Sequence, residues 1–169
     1  MRDPRRTEFA EYAPLVQKQI VIINEVLDDV GVAGLFKNDD FTIDFDMSAI
    51  NYLKFNLCRR GSNSVELDFH LASDGMSIDF QGLPESFEFS TSIIENTPSD
   101  VKKFVASLVS GPILVEYKGG AQYVNMFNRD GSRFGISALQ SFVTIITRGY
   151  WKWQSTDQHL FEAIYPVNG

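Results

Sequence analysis

The chain has little cysteine and histidine, which limits the kinds of site it can build. It holds one cysteine, Cys58, and two histidines, His70 and His159, in 169 residues. One cysteine cannot form an internal disulfide, and structural zinc sites usually take four ligands. Such a composition is typical of a reducing compartment. We therefore expect a cytoplasmic protein with no metal and no cofactor.

Long apolar runs are also missing. Residues 2–6 are rich in arginine, as at the start of a signal peptide, but the apolar region that should follow contains Glu11 and Pro14. The apolar run at residues 20–23 is far shorter than the ~18 residues that a membrane helix needs. We expect no signal peptide and no membrane segment.

Motifs that would identify a reaction are absent from the sequence. It contains no glycine-rich phosphate loop with the required spacing and no nucleophile elbow. Carboxylates two residues apart on a strand diverge, whereas metal ions and glycosidase mechanisms need carboxylates that converge. His70 fits a strand residue better than a general base, and Cys58 fits a small strand residue better than a nucleophile. We assign no catalytic residue and no metal ligand, and we favour a non-enzymatic protein.

What the chain does contain is enough apolar material for one core. Hydrophobic residues make up 44% of it, and fourteen residues are phenylalanine. A domain of this size buries about 70% of the surface that its unfolded chain exposes. We therefore predict a single domain over residues 1–169, with residues 1–12 flexible.

Apolar residues spaced by three and four predict two helices. The first covers residues 14–30, where Pro14 suits the first helical position and Gly31 suits the end. The second begins near Pro98 and ends before Gly111.

Alternation of apolar and polar residues predicts strands between these helices and after the second one. The Asp74-Gly75 pair is typical of a tight turn between antiparallel neighbours. The predicted strands cover residues 41–46, 53–58, 65–71, 76–80, 87–89, 113–117, 122–127 and 133–136.

This order of elements indicates an α+β fold. Helices separated by runs of strands with short connections predict a mainly antiparallel sheet of about seven or eight strands, packed on two or three helices. We interpret residues 137–149 as a third helix that begins at Ser137-Ala138-Leu139-Gln140, although the β-branched stretch 143–147 also fits a strand. Residues 150–165 are expected to contain an edge strand, a last helical turn or both.

The charge is distributed unevenly along the chain. The net charge is −7, and residues 38–90 alone contain ten acids and three bases. Acidic surfaces repel phosphate backbones, so we expect no nucleic-acid partner. Six of these acids occupy polar positions of the predicted strands and should share one face of the sheet: Asp44, Asp46, Glu66, Asp68, Asp79 and Glu88.

We therefore expect a non-catalytic interaction protein whose acidic sheet face binds a basic protein partner. Trp151 and Trp153 are further candidates for contact with a partner, since tryptophan is enriched at interfaces, although core packing also explains them. Small acidic, cysteine-poor proteins that neutralise bacterial toxins (immunity proteins and antitoxins) share this general character, but no motif assigns the chain to such a family.

Two other functions fit the same sequence. The fourteen phenylalanines allow a small-ligand-binding or enzymatic domain with an apolar pocket between sheet and helices. The aromatic segment near the C-terminus also allows a structural subunit of a homo-oligomer, in which that segment is buried against another copy.

Overall fold

The computed structural model describes residues 11–44, 47–83, 86–118, 121–140 and 157–166. These residues contain three α-helices and nine strands in two antiparallel sheets, which confirms the predicted α+β fold class. The helices are α1 (Pro14–Asp29), α2 (Thr91–Asn96) and α3 (Pro98–Ser110). The strands are β1 (Phe41–Ile43), β2 (Tyr52–Leu57), β3 (Leu67–Ala72), β4 (Gly75–Phe80), β5 (Ser86–Ser90), β6 (Ile113–Lys118), β7 (Ala121–Phe127), β8 (Arg133–Gln140) and β9 (Asp157–Phe161).

The described residues group into two compact units. The first contains those up to residue 61 together with 66–106, and the second contains 62–65 together with those from 107 onward. The single domain predicted for residues 1–169 stays a prediction, and residues 1–10 of the predicted flexible segment lie outside the described residues.

Helix α1 begins and ends where the sequence predicts. Pro14 is its first residue, and its apolar stripe is buried and packs against β3. Gly31 closes the helix with a φ of 75° and donates its backbone N–H to the carbonyl of Asp28 at 2.9 Å. A left-handed residue at this position is a common helix end, and glycine adopts it without steric cost.

The first unit contains a five-stranded sheet in the order β1-β2-β3-β4-β5, with every neighbouring pair antiparallel. Its apolar face is built from aligned rows, in which Phe55 pairs with Phe69 and Phe69 with Ile78. The rings of Phe55 and Phe69 stack with their centroids 4.8 Å apart. Full burial of each such side chain contributes about 1.5–3 kcal/mol, so this face holds the sheet together.

Hydrogen bonds from α1 support one end of this sheet. The buried Gln19 side chain donates from Nε2 to the carbonyls of Ala72 at 2.9 Å and Gly75 at 3.2 Å. Ala72 and Gly75 are paired at the β3–β4 hairpin, as the Asp74-Gly75 turn signal predicts. A Cβ atom on Gly75 would lie 2.7 Å from the carbonyl oxygen of Phe89, so β5 can approach β4 closely only because this residue is glycine.

The second unit contains a four-stranded sheet in the order β8-β7-β6-β9. Strand β7 is buried on both faces, since Val124 and Asn125, which point to opposite sides, are both buried. At the start of this sheet, a Cβ atom on Gly111 would lie 1.6 Å from the carbonyl oxygen of Phe127, so no larger residue fits there.

Two parts of the structure differ from the predictions. Residues 137–140, predicted to begin a helix, are the last part of β8, where Ser137 pairs with Val124 and Leu139 with Gln122. Pairing along β7 supplies backbone hydrogen bonds over the whole strand, which outweighs a local capping pattern. The rest of that predicted helix, residues 141–149, lies outside the described residues. Helix α2 was not predicted, because its six residues are too few to show a period.

Strand β9 agrees with one of the predictions for residues 150–165. It lies at the edge of the four-stranded sheet and pairs only with β6 among the described strands.

Candidate functional site: an acidic sheet face

The polar face of the five-stranded sheet gathers most of the predicted site residues. Asp68 on β3 pairs with Asp79 on β4, and the next polar row places His70 beside Ser77 and Ser77 beside Glu88 on β5. Because side chains alternate strictly along a strand, all of these point away from the apolar face.

Asp44 and Glu66 belong to the same face through their side-chain contacts. Asp44 follows β1, and its carboxylate lies 3.8 Å from the ammonium of Lys54 on β2. Glu66 precedes β3 and accepts a hydrogen bond from the thiol of Cys58 at 3.3 Å. Below, the acidic face means these five carboxylates and the side chains between them: Asp44, Glu66, Asp68, Asp79 and Glu88. The other predicted site residues, Asp46, Trp151 and Trp153, lie outside the described residues.

Positive charge is scarce on this face. Lys54 is the only lysine or arginine in strands β1–β5, and its ion pair with Asp44 is long and partly exposed. An ion pair of this kind contributes about 0–1 kcal/mol. Five carboxylates and one lysine sum to −4 when His70 is neutral. Arg60, which follows β2, lies outside this sum, and its charge acts on Cys58 beside Glu66.

Neutral donors hold Asp68 in place. Its carboxylate accepts hydrogen bonds from Asn56 Nδ2 at 3.1 Å and from Gln81 Nε2 at 3.2 Å and 3.1 Å. Amide donors orient a carboxylate without cancelling its charge. The Glu88 side chain is exposed and forms no hydrogen bond or ion pair with any described residue. No cation among the described residues therefore neutralises the charge of either side chain.

A hydrogen-bonded chain of three side chains crosses the middle of the acidic face. His70 Nε2 lies 3.1 Å from Asp79 Oδ2, and His70 Nδ1 is hydrogen-bonded to the hydroxyl of Tyr52. Burial, followed by the charges of Asp44 and Asp79, raises the pKa of Tyr52. The tyrosine therefore keeps its proton at neutral pH and acts as a hydrogen-bond donor, not as a nucleophile.

The only cysteine also lies on this face and is unreactive in character. Burial, followed by the hydrogen bond to Glu66 and the charge of Glu66, raises the pKa of the Cys58 thiol. Since the thiolate is the reactive form, a raised pKa makes Cys58 a weak nucleophile at neutral pH.

Two depressions open on the acidic face. The larger has a volume of about 700 Å³ and lies between Tyr52 and Ile93 of α2. At this place on the polar face, the paired residues Ala72 and Gly75 of the β3–β4 hairpin have a small side chain or none. The smaller, of about 520 Å³, lies between Asp44 and Asp68. Both are bordered by carboxylates.

Sequence reasoning considered His70 and Cys58, which contact carboxylates of the face, but only as a possible general base and nucleophile. It did not single out Tyr52, Asn56 or Gln81. Tyr52 and Asn56 occupy the same alternating positions of β2 as Lys54, so the period of two already places them on the polar face. Gln81 follows β4 directly and continues its alternation. The alternation therefore predicts which face each residue occupies. It does not predict which side chain each residue contacts, because that depends on strand register.

Within the described residues, no group of three or more histidine, cysteine, aspartate or glutamate side chains is arranged to hold a metal ion. No helix in that part of the chain is both long and apolar enough to cross a membrane. Comparisons with protein-family models, with curated proteins and with solved structures found no match.

Proposed function

We propose that the acidic face binds a basic protein partner without catalysing a reaction. The observation that carries this proposal is the presence of five carboxylates on one sheet face with one lysine among its strands. Complementary charge raises the rate of association and selects against acidic partners. It also makes binding sensitive to salt, because the Debye length falls to about 8 Å at physiological ionic strength.

The size of the face supports a protein as the partner. From β1 to β5 it extends over four inter-strand spacings, or about 19 Å at about 4.8 Å each. This width suits a protein surface that presents several lysines or arginines. The depressions would then receive side chains from that surface, with the larger one next to Asp79 and Glu88.

The alternative of an apolar pocket between sheet and helices finds less support. The side chains that fill this region from α1 and the sheet, such as Ile20, Phe55 and Leu71, are fully buried. Packing of this kind resembles a filled core, whereas ligand sites are concave and partly open. We place the binding function in the cytoplasm as part of the same proposal, because Cys58 is a free thiol.

The proposal is tested with two variants that each reverse three charges, one on the acidic face and the other outside it. The face variant carries Asp44→Lys, Asp68→Lys and Asp79→Lys. The control carries Asp28→Lys, Glu95→Lys and Glu162→Lys, three exposed positions outside the acidic face. The net charge of both variants changes by +6, so a difference between them reports the position of the charge and not its total.

The measurement is calorimetric titration with a deca-arginine peptide at low and physiological salt, after circular dichroism has shown that each variant is folded. We expect the face variant to lose at least about tenfold in affinity, while the control loses much less. Equal losses in both variants would contradict the proposal. If the face variant does not fold, the milder set Asp44→Asn, Asp68→Asn and Glu88→Gln replaces it, with Asp28→Asn, Glu95→Gln and Glu162→Gln as its control.

A further inference from the structure

We propose that the Tyr52–His70–Asp79 chain is a pH-sensitive device that weakens the capture of a basic partner as the pH falls from about 8 to about 5.5. This inference rests on the proposed function, because it concerns the regulation of the same face. It stands on the hydrogen-bond geometry of His70 and on the position of His70 among the carboxylates.

The geometry determines the tautomer of neutral His70. An ionised carboxylate only accepts hydrogen bonds, so the nitrogen facing Asp79, Nε2 at 3.1 Å, carries the hydrogen. A neutral imidazole has one N–H, which leaves Nδ1 as an acceptor. The Tyr52 hydroxyl therefore donates to Nδ1.

Protonation of His70 changes this chain in two ways. It adds a positive charge beside Asp79, so the charge of the acidic face falls from −4 to −3. It also places a hydrogen on Nδ1, which then donates to the Tyr52 oxygen, and the Tyr52 hydrogen must turn to another acceptor. Because Tyr52 and His70 both border the larger depression, the charge and the free donor arise where a partner's cationic side chain would bind.

The groups around His70 favour its use as a switch. Several charged or titratable groups surround it on its own and neighbouring strands: Asp44 after β1, Tyr52 and Lys54 on β2, Asp68 on β3, Asp79 on β4 and Glu88 on β5. Among these side-chain types, histidine is the one that ordinarily changes charge between pH 5 and pH 8.

The chain offers a matched control, because it contains only two histidines. His159 lies on β9 in the second unit, where its ring contacts Phe161 with centroids 4.3 Å apart. The variants His70→Gln and His159→Gln therefore each remove one histidine, the first on the acidic face and the second in the other unit. Glutamine keeps a donor for Asp79 but does not titrate.

The experiment measures the affinity for the deca-arginine peptide at pH 8 and pH 5.5 at constant ionic strength. We expect the wild type and His159→Gln to bind about fivefold more weakly at pH 5.5, the effect of one unit charge about 4 Å away in water. His70→Gln should lose this pH dependence, whatever its affinity at pH 8. Nitrogen-15 NMR of the imidazoles gives a second readout, in which His70 should carry its hydrogen on Nε2 at pH 8.

The outcomes separate the two proposals. If the peptide binds at pH 8 in a way that depends on the acidic face, but His70→Gln retains the full pH dependence, the switch is wrong and the binding function stands. If His70 carries its hydrogen on Nδ1 at pH 8, the switch is also wrong. If binding at pH 8 does not depend on the face carboxylates, the proposed function itself fails.

Discussion

The five-stranded sheet keeps its polar side chains on one exposed face, whereas the four-stranded sheet buries polar side chains on its inner strand β7. In the first sheet, buried and less buried residues alternate without exception along β2, β3 and β4. In the second, Gln122 and Asn125 of β7 are both buried. A sheet with one wet face can accumulate charge on it at little cost, while polar groups on a strand covered on both sides need partners within the protein. Asn125 has such partners, whereas Nε2 of Gln122 has none among the described residues.

The same contrast explains how each sheet uses its hydrogen bonds. Asn125 donates to the carbonyl of Leu114 at 3.3 Å and to Glu116 at 2.9 Å, and Glu116 also accepts from Gln158 at 2.8 Å. These bonds satisfy polar groups within the second sheet. On the acidic face, similar amide donors orient Asp68 but do not cancel its charge.

The largest expected effect comes from comparing two neighbouring residues of β4, one on the apolar face of the first sheet and one on its acidic face. Ile78→Ala removes a side chain that is 0% exposed and should destabilise the fold by about 2–5 kcal/mol, through lost burial and the cavity left behind. Its neighbour Ser77 lies on the acidic face, so Ser77→Ala should change stability by no more than about 0.5 kcal/mol. Urea unfolding of both variants measures the difference, and similar losses would contradict the assignment of the two faces.

A smaller effect should distinguish a fully buried asparagine from a half-buried one. Asn125→Asp places a second carboxylate beside Glu116 at a residue that is 1% exposed, with an expected cost of about 3 kcal/mol at pH 7. Asn56→Asp places a carboxylate beside Asp68 on the acidic face, where water screens the repulsion, with an expected cost below about 1 kcal/mol.

Thermal unfolding from pH 7 to pH 4 measures both changes. The loss in Asn125→Asp should diminish at low pH, because protonation removes the new charge. A loss that does not change with pH would indicate that shape, and not charge, is responsible.

The smallest expected effect concerns the chemistry of the acidic face and leaves the fold unchanged. Glu66→Gln removes a charge that raises the pKa of Cys58, so the pKa should fall and the thiolate fraction at pH 8 should rise. We expect alkylation by iodoacetamide to become a few times faster. Glu88→Gln removes a carboxylate from the same face without touching Cys58, and its rate should match the wild type. If both variants react at the same rate, Glu66 does not control the thiol.

Local pattern was sufficient for most of the fold. The stripe of α1, the alternation of β2 to β4 and the Asp74-Gly75 turn all follow from side-chain period and turn chemistry, and the structure has them at nearly the predicted bounds. The pattern was insufficient at residues 137–140, where pairing with β7 decides for a strand. It was also insufficient for the division of the strands, because no local signal states which strands share a sheet.

By itself, the sequence determined that Asp68, Asp79 and Glu88 share one face, because alternation assigns each residue to a side of its strand before any strand is paired. Only the tertiary structure decided which side chains meet there. Tyr52 and His70 are 18 residues apart and His70 and Asp79 are nine apart, and antiparallel pairing of β2, β3 and β4 brings them into one hydrogen-bonded chain. Register depends on packing of the apolar face against the helices, which is a property of the whole fold.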